Sequence, residues 1–211
     1  GFAIADVELG ARDPVDAIQS AATMMGYGER MRYPEIDTKG LLDYWSDRVE
    51  HLLRAGVGTR FVEVACVLNV QSDHLGLKGI DTLEQLAEVK RIPIEVAKDT
   101  AVLNADDPLV LRMADHTEAK NICYVTMNPQ HTLVREHIRH GGRAVSLETG
   151  INGQMITIYD RGTHIPLLWS HLVPATLEGR AVHNVQNAMF AAAMAFSMGV
   201  KLEDIRHGLR T

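Results

Sequence analysis

The sequence predicts an α/β protein: a mainly parallel, doubly wound sheet flanked by helices, carrying a small antiparallel β meander. Three observations lead there. From Phe61 onward strand-like and helix-like segments alternate, the order that builds a parallel sheet through crossover helices. The clearest strand lies in Phe61–Val70, an apolar run broken only by Glu63, as expected of a strand buried on both faces. Farther on, three alternating segments are separated by Asn152-Gly153 and Arg161-Gly162, which is hairpin turn chemistry.

Residues 1–58 read as a helical N-terminal segment of unclear origin, and residues 59–211 as the main α/β region. Asp13-Pro14 starts a helix through Ala17, Ile18, Ala21, Ala22 and Met25, with Pro at the first helical position. Leu41, Leu42, Trp45, Val49, Leu52 and Leu53 then recur at helical spacing, closed by Gly56. In the main region the strands are Val62–Val70, Ala101–Asn104, Asn121–Thr126 and Arg143–Leu147, with helices near Leu83–Ala97, Leu109–Ala114 and Thr132–His140. Thr82-x-x-Gln85 has the form of a capping box, and Pro93 is expected to kink or interrupt the helix that follows it. Arg143–Leu147, Met155–Tyr159 and Ile165–Leu168 form the meander. Ala181 to Gly199 is an apolar, alanine-rich helix with Gly199 just past its end, and Val200–Leu209 a final short one.

Composition narrows the function classes. Hydrophobic residues make up 46%, enough for a sizeable core. A net charge of -6 argues against a nucleic-acid surface, which needs clustered Lys and Arg. No run has the length of a membrane span, and no charged-then-apolar leader opens the sequence. Cys66 and Cys123 both sit in apolar strand-like runs, so they are expected as buried free thiols in a reducing, cytoplasmic setting.

The polar residues of interest fall where strands end. Ligands in open α/β sheets bind beyond the carboxyl ends of strands, and Asn69-Val70-Gln71-Ser72-Asp73-His74 follows the clearest strand directly. A carboxylate beside an imidazole there suits a divalent cation or an oriented water. The structural alternative is a turn capped by Asp73 with His74 partly buried. Lys90 stands on the next helix, either as an ordinary solvated lysine or as a group that neutralises phosphate or, as a carbamate, lends oxygen to magnesium. Asn104-Ala105-Asp106-Asp107-Pro108 follows the next strand; Asp107 suits a helix N-cap, while Asn104 and Asp106 would share the rim with His74. His183-Asn184-x-x-Asn187 opens the alanine-rich helix and places both amides on one face, able to pair with a group that both donates and accepts, such as an adenine edge. The alternative there makes Asn184 the N-cap and Asn187 polar surface. A metal-dependent hydrolase using Asp73, His74 and Asp106 is a third reading. No Gly-x-x-x-x-Gly-Lys-Ser/Thr phosphate loop occurs in the sequence.

Six segments in register carry a family resemblance: Leu53-Arg54-Ala55-Gly56-Val57-Gly58, Leu68-Asn69-Val70-Gln71-Ser72-Asp73-His74-Leu75-Gly76, Gly79-Ile80-Asp81-Thr82-Leu83-Glu84 with Val89-Lys90, Ala101-Val102-Leu103-Asn104-Ala105-Asp106-Asp107-Pro108, Gly141-Gly142-Arg143-Ala144-Val145, and Gly179-Arg180-Ala181-Val182-His183-Asn184-Val185-Gln186-Asn187-Ala188. From Leu52 to Thr211 the sequence resembles the Mur ligase family, most closely the Mur-ligase-like module of the cyanophycin synthetases. The resemblance implies an incomplete Mur central-domain-like region at 59–211, with the C-terminal Mur domain absent. It implies an ATP- and Mg2+-dependent acid–amino-acid ligase, in which a carboxylate is phosphorylated and an amine then displaces the phosphate. In the cyanophycin branch this module is associated with adding arginine to an aspartate backbone. By the same resemblance His74 and Lys90 are catalytic. His74, Asp73 and a carbamylated Lys90 hold the metal, and Asn184, Asn187, His183, Asn104 and Asp106 line the nucleotide. The implied partners are a nucleotide and an amino-acid or peptide substrate, without nucleic acid or membrane, and with a homo-oligomer left open. Three departures stand beside this: the missing phosphate loop, Ser46 where the family carries a magnesium-binding glutamate, and an end at Gly208-Leu209-Arg210-Thr211. A non-catalytic, degenerate Mur-like protein that binds a nucleotide or a partner is the alternative.

Overall fold

The computed structural model describes residues 2–5, 62–72, 75, 76 and 80–211. The helices expected within residues 13–56, and Asp73 and His74, lie outside the described residues. The described part falls in one unit, Gly1–Ala5 with Thr59–Thr211.

Seven strands form one mixed sheet in sequential order: β1 (Phe2–Ala5), β2 (Val62–Val67), β3 (Ala97–Asn104), β4 (Asn121–Thr126), β5 (Arg143–Gly150), β6 (Gly153–Asp160) and β7 (Thr163–Trp169). β2 to β5 are parallel to one another. β1 adds antiparallel to β2 and was not expected from sequence. β5, β6 and β7 make the expected antiparallel meander.

Helices join the parallel strands. α1 (Leu83–Glu95) begins at the expected capping box: Thr82 accepts from the Gln85 backbone N–H, and Gln85 reaches back to the Thr82 N–H. It runs through Pro93, which has no N–H to offer the Val89 carbonyl one turn back, and stops two residues later. α2 (Pro108–Leu111) continues into a 3-10 turn, Arg112–His116, and α3 (Thr132–Arg139) links β4 to β5.

Strand side chains alternate between faces, and both faces are buried. On one side Val64, Cys66, Val102, Cys123, Val125, Val145, Leu147, Ile156 and Ile158 meet α4 (Val182–Ser197) through Val185, Ala188, Met189, Phe190, Ala192 and Ala193. The small alanines let the helix lie close to the strands. The intervening residues Ala65, Val67, Ala101, Leu103, Tyr124 and Ala144 are buried too. α5 (Leu202–Arg210) ends the described fold, and its Arg206 donates to the carbonyls of Leu167 (2.8 Å) and Pro166 (3.2 Å) on the edge strand β7. No helix among the described residues is long and apolar enough to cross a membrane.

Cys66 and Cys123 are buried and free, as expected. Burial pushes both thiols up, Cys123 to about 12 with Arg143 opposing and Asp160 adding to the rise, so neither is a ready nucleophile.

Candidate functional site

The carboxyl ends of the parallel strands are held by side chains that bond to main chain. The expected strand Val62–Val70 ends at Val67, because its last peptide groups are taken by residues distant in sequence rather than by a neighbouring strand. Asn104 Nδ2 donates to the Leu68 carbonyl (2.6 Å). Lys90 Nζ donates to the Asn69 carbonyl (3.2 Å). Asp107 Oδ2 accepts from the Val70 N–H (2.8 Å). Three consecutive residues are thus tied by three side chains as the chain leaves β2.

Lys90 is not the solvated lysine of the plain alternative. It retains 3% of its exposure and is one of eight buried polar or charged side chains among the described residues. A buried lysine needs polar partners, and α1 delivers it to the end of β2, with its amine at the Asn69 carbonyl. Asn104 is buried as well, at 4%.

The run after β3 ties both neighbouring strands. Asn104 Oδ1 accepts from the Asp106 N–H (2.9 Å), which folds the exit into a tight turn. Asp106, itself exposed, accepts from the Thr126 hydroxyl (2.5 Å) and the Met127 N–H (2.6 Å), both at the end of β4. Thr126 in turn accepts from the Asn128 N–H (3.0 Å). Asp107 caps α2 through Oδ1, accepting from Leu109 and Val110, as expected of an N-cap. Its second oxygen, on Val70, was not expected. Thr126 and Met127 also went unnoticed in sequence; only their place at a strand end could have drawn attention to them.

The amide pair Asn184 and Asn187 lies on α4. The N-cap of α4 is Ala181, which makes no side-chain capping bond, so Asn184 is not the cap. Asn184 Nδ2 instead donates to the Ala175 carbonyl (2.7 Å), and Asn187 Nδ2 to Asn184 Oδ1 (3.4 Å), so the two amides are neighbours on one face. His183 and Asn187 are exposed. Leu177, Glu178 and Gly179 all take the left-handed conformation just before this helix, at φ 51, 61 and 84. At Gly179 a side chain would be strained and would press on Ser170 Oγ at 3.3 Å.

The direction of α4 decides which edge this pair occupies. Ser197, its last residue, accepts from Arg143 Nη1 (3.3 Å), and the guanidinium lies 5.2 Å from the Phe196 ring centre. Arg143 is the first residue of β5. The C-terminal end of α4 therefore sits at the amino edge of the strands. Sixteen residues rise roughly 24 Å, more than the ~20 Å of a six-residue strand, so the first turn of α4 lies toward the carboxyl edge. Asn184, Asn187 and His183 thus share an edge with Lys90, Asn104 and Asp106.

Among the described residues no group of three or more His, Cys, Asp or Glu is placed to hold a metal ion. The donor chemistry of the rim is informative nonetheless. The Lys90 amine suits a phosphate oxygen as it stands. As a carbamate it would keep one N–H for Asn69 and gain two oxygens of the kind magnesium prefers.

The Mur ligase middle domain matches residues 53–195. The chain is 45% identical over 162 residues to the cyanophycin synthetase of Trichormus variabilis and 42% over 162 residues to that of a Synechocystis species. Each alignment covers 76% of this chain, against 17% and 18% of those proteins. It is 26% identical over 149 residues to the UDP-N-acetylmuramoylalanine--D-glutamate ligase of Desulfitobacterium hafniense, covering 71% of this chain and 29% of that enzyme. The chain thus spans under a third of the length of each of these relatives.

Proposed function

Because the chain belongs to the Mur ligase family through its middle domain, we propose that it supplies the cation and nucleobase side of an ATP-dependent amide ligase of the cyanophycin synthetase kind. The observation that carries this reading is the burial of Lys90 and Asn104 at the carboxyl edge of the parallel sheet, the edge toward which the first turn of α4 lies. In this reading ATP phosphorylates a substrate carboxylate and an amino acid or peptide amine then displaces the phosphate. Mg2+ would supply charge neutralisation at the phosphates, held by Asp73 and His74 with Lys90 as its carbamate.

The chain's own residues have separate tasks. Lys90 carries its charge, of either sign, from a dry helix–strand junction, where charge acts more strongly than in water. Asn184 and Asn187 present amides to the base, and His183 lies exposed beside them. Asn104 and Asp106 border the nucleotide by shaping the rim. The sequence has no Gly-x-x-x-x-Gly-Lys-Ser/Thr run, so this reading assigns it no phosphate-cradling loop. That same absence favours a second reading, a non-catalytic Mur-like module that binds nucleotide or partner.

Thermal-shift titration with MgATP decides whether the nucleotide side works. A ligand at 100 times its Kd stabilises by about 2.7 kcal/mol, a readable rise in Tm. The expected result is a magnesium-dependent rise that Lys90→Met and Asn184→Ala each reduce. A rise that both variants preserve would sink the site assignment. A rise without turnover of carboxylate and amine substrates would leave the binding module standing in place of the ligase.

A further inference from the structure

We infer that Asp107 is a positioning residue of the carboxyl-edge site, one that fixes where the chain leaves β2. This rests on the nucleotide reading above for its functional meaning, though not for its geometry. The sequence assigns Asp107 only as the cap of α2. In the fold its carboxylate is divided between two tasks. Oδ1 accepts from Leu109 (2.9 Å) and Val110 (3.2 Å), while Oδ2 accepts from the Val70 N–H at 2.8 Å, 37 residues away in sequence. Val70 is the last residue of the three-point clamp and is buried. In sequence, the Asp73-His74 pair assigned to the cation begins three residues later.

The other two clamps act on carbonyls: Asn104 on Leu68 and Lys90 on Asn69. Asp107 alone of the three holds an N–H. Held at both carbonyls and at the amide, the segment has its direction set as well as its position. A charge-assisted bond to a backbone N–H is stronger than a neutral one. Because α2 is fixed by the same carboxylate, the start of that helix and the exit of β2 move together.

The two tasks separate chemically. Asn caps a helix as well as Asp does, but it has one oxygen. In Asp107→Asn that oxygen serves Leu109 and Val110, and the amide NH2 meets the Val70 N–H donor to donor. The expected result, read by amide hydrogen exchange on the full chain, is about tenfold faster exchange at Val70, with exchange at Val110 near wild type. Binding of MnATP, followed by the Mn2+ EPR signal, is expected to weaken about tenfold in the same variant. Asp107→Ala loses both tasks and should expose Val70 and Val110 alike.

Unchanged Val70 exchange in Asp107→Asn would overturn the clamp. Faster Val70 exchange with wild-type MnATP affinity would overturn its role at the site. Wild-type protein that takes no MnATP would remove the nucleotide reading instead, and Val70 exchange alone would then decide the clamp.

Discussion

The two edges of the parallel sheet are held by different kinds of bond. At the amino edge the ties around Arg143 run between side chains, beside Asn121 Nδ2 on the Asp99 carbonyl and His137 Nε2 on the Ile122 carbonyl. Arg143 pairs with Asp160 at 2.9 Å, lies over Phe196, and donates to Thr100 and Ser197, so that one guanidinium joins β3, β5, β6 and α4. At the carboxyl edge side chains bind main chain: Asn104, Lys90 and Asp107 on residues 68–70, and Asp106 on Met127. The Arg143 arrangement holds whole elements together. The second fixes individual peptide groups exactly where loops begin, which is what a ligand-binding edge requires. Its ties are spread over four side chains rather than gathered on one, so a single loss matters less for stability and more for placement.

The largest expected effect therefore lies at the amino edge, far from the proposed ligand. Arg143→Ala strands the mostly buried Asp160 carboxylate and removes the contacts to Phe196 and Ser197. Removing one partner of such a pair costs about 3 kcal/mol, to be read from urea denaturation. MgATP binding by the folded fraction should change little. A loss below about 1 kcal/mol, the range of exposed pairs, would mean that this edge is held by the sheet alone and that the contrast is false.

How far this could be read in advance follows the range of the interactions. The start of α1 was legible because Thr82 and Gln85 lie three residues apart. Asn121–Thr126 was read to its ends because its apolar run coincides with its pairing. β2 was read three residues too long: Leu68 and Val70 look like strand, but side chains 36 and 37 residues away hold their peptide groups. β3 was read four residues too short, since Lys98, Asp99 and Thr100 are polar although Thr100 is fully buried between strands. At the site, residue types and their shared edge were legible. The burial of Lys90 was not, because helical spacing cannot say which of 21 basic residues faces a strand end. The division of Asp107 between two tasks is tertiary information with no local mark.

A middle-sized effect tests the carboxyl edge. Asp106→Ala removes acceptors from Met127 and Thr126, but the site is exposed and water reaches it. The expected loss is about 1 kcal/mol, well below Arg143→Ala in the same denaturation series. Thr126→Val should behave similarly, because it strips the Asn128 N–H of its acceptor. If either variant matches Arg143→Ala, the carboxyl edge is not a set of small separable ties.

The smallest effect concerns the far end of β5, where the rule for the carboxyl edge breaks down. β5 runs four residues past Ser146, its last partner on β4. There Glu148 binds side chains, not main chain: it accepts from Thr157 (3.0 Å), from the Tyr159 hydroxyl, and from His164 (3.0 Å). Burial alone would raise the Glu148 carboxyl. The hydrogen bonds from Tyr159, His164 and Thr157 and the attraction of His164 outweigh it and hold the group below the ordinary carboxylate value. Tyr159 is pushed up, first by burial and then by Glu148. A carboxyl whose folded value is lowered adds stability that is fully present above its unfolded value, near 4.5, and lost as pH falls through the folded value. Urea denaturation of wild type and Glu148→Gln should therefore differ most at neutral pH and converge in acid below that point. A gap that stays constant from pH 7 to pH 3 would show that the Glu148 charge contributes nothing. The meander would then be held by its neutral hydrogen bonds and strand pairing, unlike the carboxyl ends of β2 and β3, where Lys90, Asp106 and Asp107 carry the ties.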